Sequence, residues 1–225
     1  MKKILVVITN VTKYPTTTRA TGLWFSEVVH FVEPFYKKGY EIDYVSPNGG
    51  MITNDPHSLE AQNMSELDWK YYTDAKFMNK LAQTKSPKEI NAKDYEVIYY
   101  AGGHGVLWDF PDNEELQTIS KEIYENGGVV SGVCHGVVGL LNIKLSNGEY
   151  LIKDKKVTGF SNEEEQQAGL SPFVPFLPED AMKEREAHYI KGANWTAFTV
   201  SDARVVTGQN PASGLEVAKK VLEII

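Results

Sequence analysis

Cysteine is nearly missing from this chain: Cys134 is the only one in 225 residues. A lone thiol forms no intramolecular disulfide, which excludes a disulfide-stapled scaffold and fits a reducing cytosol. Long apolar runs are missing as well. Ile4-Leu5-Val6-Val7-Ile8 behind Met1-Lys2-Lys3 starts like a signal peptide, but Thr9-Asn10 ends it too early, so it reads as a first strand. No stretch approaches the roughly 20 apolar residues of a membrane span. Basic charge is in deficit, with 23 Lys and Arg against 30 Asp and Glu and a net charge of -7. That balance argues against nucleic acid and anionic membrane as partners. Repeats, low-complexity tracts and linkers are absent, and the composition is that of an ordinary globular chain, read here as a single domain over 1–225. Paired metal-ligand spacing is absent too: His30, His57, His104, His135 and His188 are scattered and there is no second Cys, so no metal is expected. His30 falls on an apolar helix stripe and reads as packing.

What is present is an alternation of buried strands and amphipathic helices. Residues 4–9, 41–46 and 95–100 read as strands, and 23–38 and 113–126 as helices ending before Gly39 and Gly127. A helical pattern covers 65–83. Residues 144–160 read as a β excursion around Asn147-Gly148, and 162–198, with Pro172, Pro175 and Pro178, as irregular. Short strands at 199–201 and 204–207 and a helix over 211–225 close the chain. This order predicts an α/β fold, doubly wound, with a mostly parallel sheet flanked by helices. In such sheets the site lies at the carboxyl ends of the strands.

The segment that concentrates chemistry is Gly132-Val133-Cys134-His135-Gly136, after the apolar Val129-Val130. A strand, a sharp turn carrying a nucleophile and a helix make a nucleophile elbow, with glycines permitting the tight bend. A thiol before a helix N-terminus is expected to favour its thiolate, although a lone Cys is commonly just a small buried hydrophobe. Ala101-Gly102-Gly103-His104-Gly105 follows the third strand. Its backbone N–H groups suit an oxyanion, and a simple tight turn is the competing reading. It is no phosphate loop, because no Gly-Lys-Ser/Thr follows, and its spacing is not that of a dinucleotide fingerprint. Glu27 lies within Leu23-Trp24-Phe25-Ser26-Glu27-Val28-Val29. It faces either solvent or the sheet, and only the second placement raises its pKa and makes it a proton shuttle. The run Glu163-Glu164-Glu165 after Ser161 reads as a solvated helix start or as the source of a carboxylate that orients His135.

Taken in order, these motifs resemble the ThiJ/PfpI superfamily, whose fold is that of class I glutamine amidotransferases and is flavodoxin-like. They are closest to its compact heat-shock-protein-31 and glyoxalase III branch. The resemblance runs from Thr21-Gly22 through Asp43-Tyr44-Val45-Ser46-Pro47, Ser86-Pro87-Lys88-Glu89 and Asp109-Phe110-Pro111 to Thr158-Gly159-Phe160-Ser161-Asn162 and Thr207-Gly208-Gln209-Asn210-Pro211. It implies Cys134 as nucleophile, His135 beside it, Glu27 against the sulfur and Glu165 as partner of the histidine, with Glu163 and Glu164 close in sequence. It implies Gly102, Gly103 and His104 as the lining of a substrate and oxyanion pocket. Two departures stand out. The family's Cys-His-Gly-Pro is Cys134-His135-Gly136-Val137 here, and residues 170–191 diverge, so the rim of the site is expected to differ.

The activity so implied is that of a glutathione-independent glyoxalase, a D-lactate dehydratase or lyase. It would convert methylglyoxal to lactate through a cysteine hemithioacetal, without cofactor, in stress and dicarbonyl detoxification. A small dicarbonyl substrate, a homodimer and a cytoplasmic setting come with it. Three alternatives remain open: a holdase chaperone acting on unfolded client proteins, a cysteine hydrolase (amidase, peptidase or protein deglycase), and an oxidation sensor whose output is the thiol itself. A histidine adjacent to its cysteine reads as an awkward general base for amide cleavage.

Overall fold

The computed structural model describes residues 3–225; Met1 and Lys2, the head of the signal-like segment, lie outside the described residues. Strands with no polar alternation need cover on both faces, and they receive it. β1 (Lys3–Val7), β2 (Ile42–Val45), β3 (Tyr95–Tyr100) and β4 (Val129–Val133) pair in parallel. β5 (Lys156–Val157) and β6 (His188–Tyr189) form a separate two-stranded sheet. β7 (Thr199–Asp202) runs antiparallel to β8 (Val205–Gly208) at one edge of the main sheet, whose order is β2-β1-β3-β4-β8-β7.

Helices α1 (Phe25–Lys37), α2 (Glu66–Tyr72), α3 (Ala75–Ala82), α4 (Val106–Asp109), α5 (Glu114–Glu125), α6 (Asn162–Gln167), α7 (Pro178–Glu184) and α8 (Gly214–Ile224) complete the chain. The period of two along each strand divides the interior into two cores. Ile4, Val6, Val97 and Tyr99 meet α1 and α8 through Phe31, Val32 and Val217. Leu5, Val7, Ile98 and Tyr100 meet α5 through Leu116, Ile119 and Ile123. Helices therefore cover both faces, as a doubly wound sheet requires. Among the described residues no helix is long and apolar enough to cross a membrane.

Four local expectations are corrected. The 65–83 pattern is two helices, because Asp74 accepts hydrogen bonds from the Lys76 and Phe77 N–H groups and so starts α3 afresh. The 144–160 excursion reduces to a Lys144–Tyr150 bridge and β5: after the Leu151 N–H bonds Ile143 O, the chain turns and the Leu151 and Ile152 side chains enter the core. The span 162–198 is irregular only in part: Ser161 and Glu164 form a capping box that starts α6, Pro178 occupies the first turn of α7, where its missing N–H costs nothing, and 190–198 has neither helix nor strand. The elbow continues as a 3-10 helix over Cys134–Leu140, with Val137, the departure from the family's proline, fully buried inside it.

Candidate active site

β4 delivers Cys134 into the turn with φ at +57°, in the left-handed region that non-glycine residues seldom occupy. This is the strained conformation that lets an elbow aim its nucleophile away from the strand. The thiol is 3% exposed. Its Sγ lies 3.4 Å from His135 Nδ1, so adjacency in sequence does not keep this ring from the sulfur, contrary to the expectation of an awkward base.

Glu27 settles on the sheet side of α1. It is fully buried, and its Oε2 accepts the Gly102 N–H at 2.6 Å. Oε1 has no hydrogen-bond partner, and Cys134 is the side chain whose influence on the carboxyl favours its charged form. Burial pushes the carboxyl up to about 8 against the pull of Gly102 and Cys134. A Cβ on Gly102 would stand 2.7 Å from Glu27 Oε2, so the close approach requires glycine. The neighbouring Gly103 takes φ of +104°. Gly102 thus corrects the oxyanion expectation: its N–H is consumed by Glu27, and only Gly103 and His104 of that turn face the cleft.

The expected thiolate preference is also corrected. Burial and the negative charge of Glu27 push the thiol well above its ordinary value, and the His135 backbone N–H opposes them. Both groups therefore hold their protons until Glu27 releases its own near pH 8.

Opposite Glu27, Glu165 binds two histidines at once. His135 Nε2 is 2.6 Å from Oε2 and His104 Nε2 is 2.8 Å from Oε1, with the rings 4.0 Å apart. An Nε2–H donor on His135 leaves Nδ1 as the acceptor that faces sulfur. Burial opposes ionisation of Glu165, but His135 and His104 outweigh it and hold the carboxyl well below the usual range. Burial, joined by His135, lowers His104 to about 4 despite Glu165, which keeps that ring neutral. His104, His135 and Glu165 bring ligand-type atoms within 4.8 Å of one another, a convergence invisible in their spacing. Each Nε2 is already satisfied by its own carboxylate oxygen.

The three glutamates of the acidic run do different work. Exposed Glu163 pairs with Lys191 at 2.6 Å. Glu164 is buried and accepts from Ser161, Asn210 and the Trp195 backbone. Glu165 serves the site. Capping geometry decides this, since Ser161 claims the residue three places on and leaves the fourth free to turn inward.

The cleft above the sulfur has a volume of about 540 Å³. Phe160 packs on His135 with centroids 4.3 Å apart, and Tyr14 packs on His104 at 5.7 Å. Trp24, Trp195 and Leu170 also line the cleft or its mouth, and Leu170 begins the divergent segment. Of these five, the sequence marks only Leu170, at the start of the divergent rim, and Phe160, within Gly159-Phe160-Ser161. His30 is not simply core packing: it lines the cleft and lies 3.3 Å from Asp68.

A buried elbow cysteine between a carboxyl and a histidine–glutamate pair, at the carboxyl end of a doubly wound sheet, defines a class, and the chain belongs to the DJ-1/PfpI family, which it matches over residues 20–224. Within that family it is 36% identical to the glutathione-independent glyoxalase HSP31 of Saccharomyces cerevisiae, over 100% of this chain and 98% of that protein. It is 33% identical to glyoxalase 3 of Candida albicans, over 99% and 98%. Among solved structures it resembles the Rapid Encystment Protein 24 KDa of Francisella tularensis, with a TM-score of 0.93 and 38% identity over 99% and 98% of the two chains. It resembles glyoxalase III of Candida albicans with a TM-score of 0.92 and 33% identity over 100% and 97%.

Proposed function

We propose that this chain is a glutathione-independent glyoxalase that converts methylglyoxal and water to D-lactate. The observation that carries this reading is Glu27: a fully buried carboxyl, held neutral up to about pH 8, set against the nucleophilic sulfur. Acyl hydrolysis has no need of such a group. An isomerisation that moves hydrogen between adjacent carbons does.

His135 Nδ1 takes the thiol proton as the sulfur adds to the aldehyde carbon, and the Glu27 proton passes to the new alkoxide, giving a hemithioacetal, an imidazolium and a free carboxylate. That carboxylate removes the hydrogen on the same carbon as a proton, leaving an enediolate. His135 moves a proton from the first oxygen to the second through Nδ1, while Glu165 steadies the imidazolium. Glu27 returns its proton to the second carbon. The product is a lactoyl thioester, which water cleaves to lactate and the thiol. The Gly103 turn and the His135 N–H face the developing negative oxygen. Both electrons of the internal redox exchange stay within the substrate, so no hydride carrier enters the scheme.

The test is lactate formation from methylglyoxal with no glutathione present. Cys134→Ala is expected to form none. Glu27→Gln is expected to form almost none and to accumulate a covalent adduct of substrate mass, visible by intact-protein mass spectrometry. His135→Ala is expected to lose about 100- to 10,000-fold, the worth of one acid–base group. Full lactate production by Cys134→Ala overturns the mechanism. Protection of unfolding clients that survives in Cys134→Ala would then favour the holdase reading. A reducing cytosol, supported by the single cysteine, and a homodimer, supported by the family resemblance, belong to the same proposal.

A further inference from the structure

Methylglyoxal has five heavy atoms, and the cleft of about 540 Å³ is of the size that holds far larger ligands. Its lining is mixed. Arg19, Asp55, His57, Gln62 and Asn63 supply polar groups. An aromatic series leads outward from the reacting centre: His135, then Phe160 at 4.3 Å, then Trp195 edge-on to Phe160 at 5.6 Å.

Trp195 is held in place with unusual care for a residue that is 50% exposed. Its φ is +59°, a conformation that a bulky side chain adopts only where the surroundings impose it. Its backbone N–H donates to buried Glu164 Oε1 at 2.8 Å, and its indole Nε1 donates to Gln167 at 2.5 Å. Asn210 Nδ2 bonds both Glu164 Oε1 and the Thr196 carbonyl, at 2.9 and 2.8 Å, clamping the next residue as well. No core is completed by this ring, half of which meets solvent. What the clamp achieves is a fixed apolar wall in the lining of the cleft.

We propose that Trp195 is a specificity-determining residue. With Phe160 it receives the substituent of the 2-oxoaldehyde, and the site is shaped for a flat apolar or aryl substituent larger than methyl. This rests on the glyoxalase reading of Cys134 and Glu27, and extends it to the part of the substrate that does not react.

The experiment compares phenylglyoxal with methylglyoxal in the wild type, Trp195→Ala and Trp195→Phe. The wild type is expected to prefer phenylglyoxal in kcat/KM by about tenfold or more, the scale at which apolar pockets discriminate. Trp195→Ala is expected to lose about 10- to 100-fold on phenylglyoxal, mostly through KM. Methylglyoxal, whose methyl meets less of the wall, should lose less than phenylglyoxal, and far-UV circular dichroism with a urea melt shows that the variant is folded. Trp195→Phe should recover most of the loss. Equal losses on both substrates, or none, overturn the proposal. A binding measurement needs no turnover: by calorimetry, the aryl product mandelate should bind the wild type more tightly than lactate, and Trp195→Ala should remove the difference. No preference for mandelate in the wild type defeats the wall, even if lactate is formed. A preference lost in Trp195→Ala, without turnover of either dicarbonyl, supports the wall and defeats the glyoxalase reading instead.

Discussion

Glu27 and Cys134 form a buried pair in which the charge of the carboxylate raises the cost of the thiolate, so the proton on Glu27 governs both reactivity and stability. Glu27 is raised to about 8 in the folded chain, against an ordinary value of about 4.3. Between those values the native state binds a proton that the unfolded chain has released. The stabilisation is therefore complete at low pH and fades as pH rises through about 8, with a slope of at most about 1.4 kcal/mol per pH unit. Urea melts of the wild type at pH 5 and pH 8 should show this loss, and Glu27→Gln, which holds no titrating proton, should flatten it. An equal loss in both proteins would assign the effect elsewhere. Titration of Cys134 by alkylation rate checks the same coupling, since its apparent pKa should move when Glu27 becomes Gln. The identities of these residues were legible in the chain, through flanking glycines and an apolar stretch holding one carboxylate. The state of the thiol was not, because a helix start argues for ionisation, while burial and a facing carboxyl argue against it, and both come only from packing.

At the scale of elements, the position of Glu27 depends on how α1 is fastened to β3. Phe31 stacks on Tyr99 with centroids 3.6 Å apart, and the Tyr99 hydroxyl donates to the Glu27 carbonyl at 2.9 Å. The Trp24 N–H, just before the helix, donates to Gly102 O at 3.1 Å. Tyr99→Phe keeps the stack and deletes one hydrogen bond. It is expected to cost about 0.5–1.5 kcal/mol of stability, measured by urea unfolding. It should lower kcat more than KM, because the shuttle is displaced and the binding walls are not. Periodicity located α1, β3 and the elbow strand well, since long apolar patterns are set by burial. It failed over 162–198, where short elements hang on single interactions: the Ser161–Glu164 capping box, Pro178 in the first turn of α7, and the β5–β6 pairing. A proline looks the same in sequence whether it stops a helix or begins one.

For the whole molecule, the sheet order brings the loop before α1, the turn after β3 and the elbow after β4 to one edge, so residues 77 and 107 positions apart in the chain (Glu27 to His104, Glu27 to Cys134) meet around one sulfur. That convergence was legible as a rule about doubly wound sheets. The aromatic wall was not, because Phe160 and Trp195 come from segments without periodicity. The two cores share every strand of the parallel sheet, one using alternate residues of β1 and β3 and the other using those between. Neither core can lose its strands without exposing the other. We therefore expect the chain to unfold as a single cooperative unit. The tryptophans sample different places, Trp24 and Trp195 at the cleft, Trp69 on α2 and Trp108 on α4, so their summed fluorescence reports both faces of the sheet. Far-UV circular dichroism reports the helices. The two urea transitions should coincide in midpoint and slope. A cleft-forming segment that melts first would separate them, and would show that the site is assembled on a part of the chain less stable than the sheet that carries it.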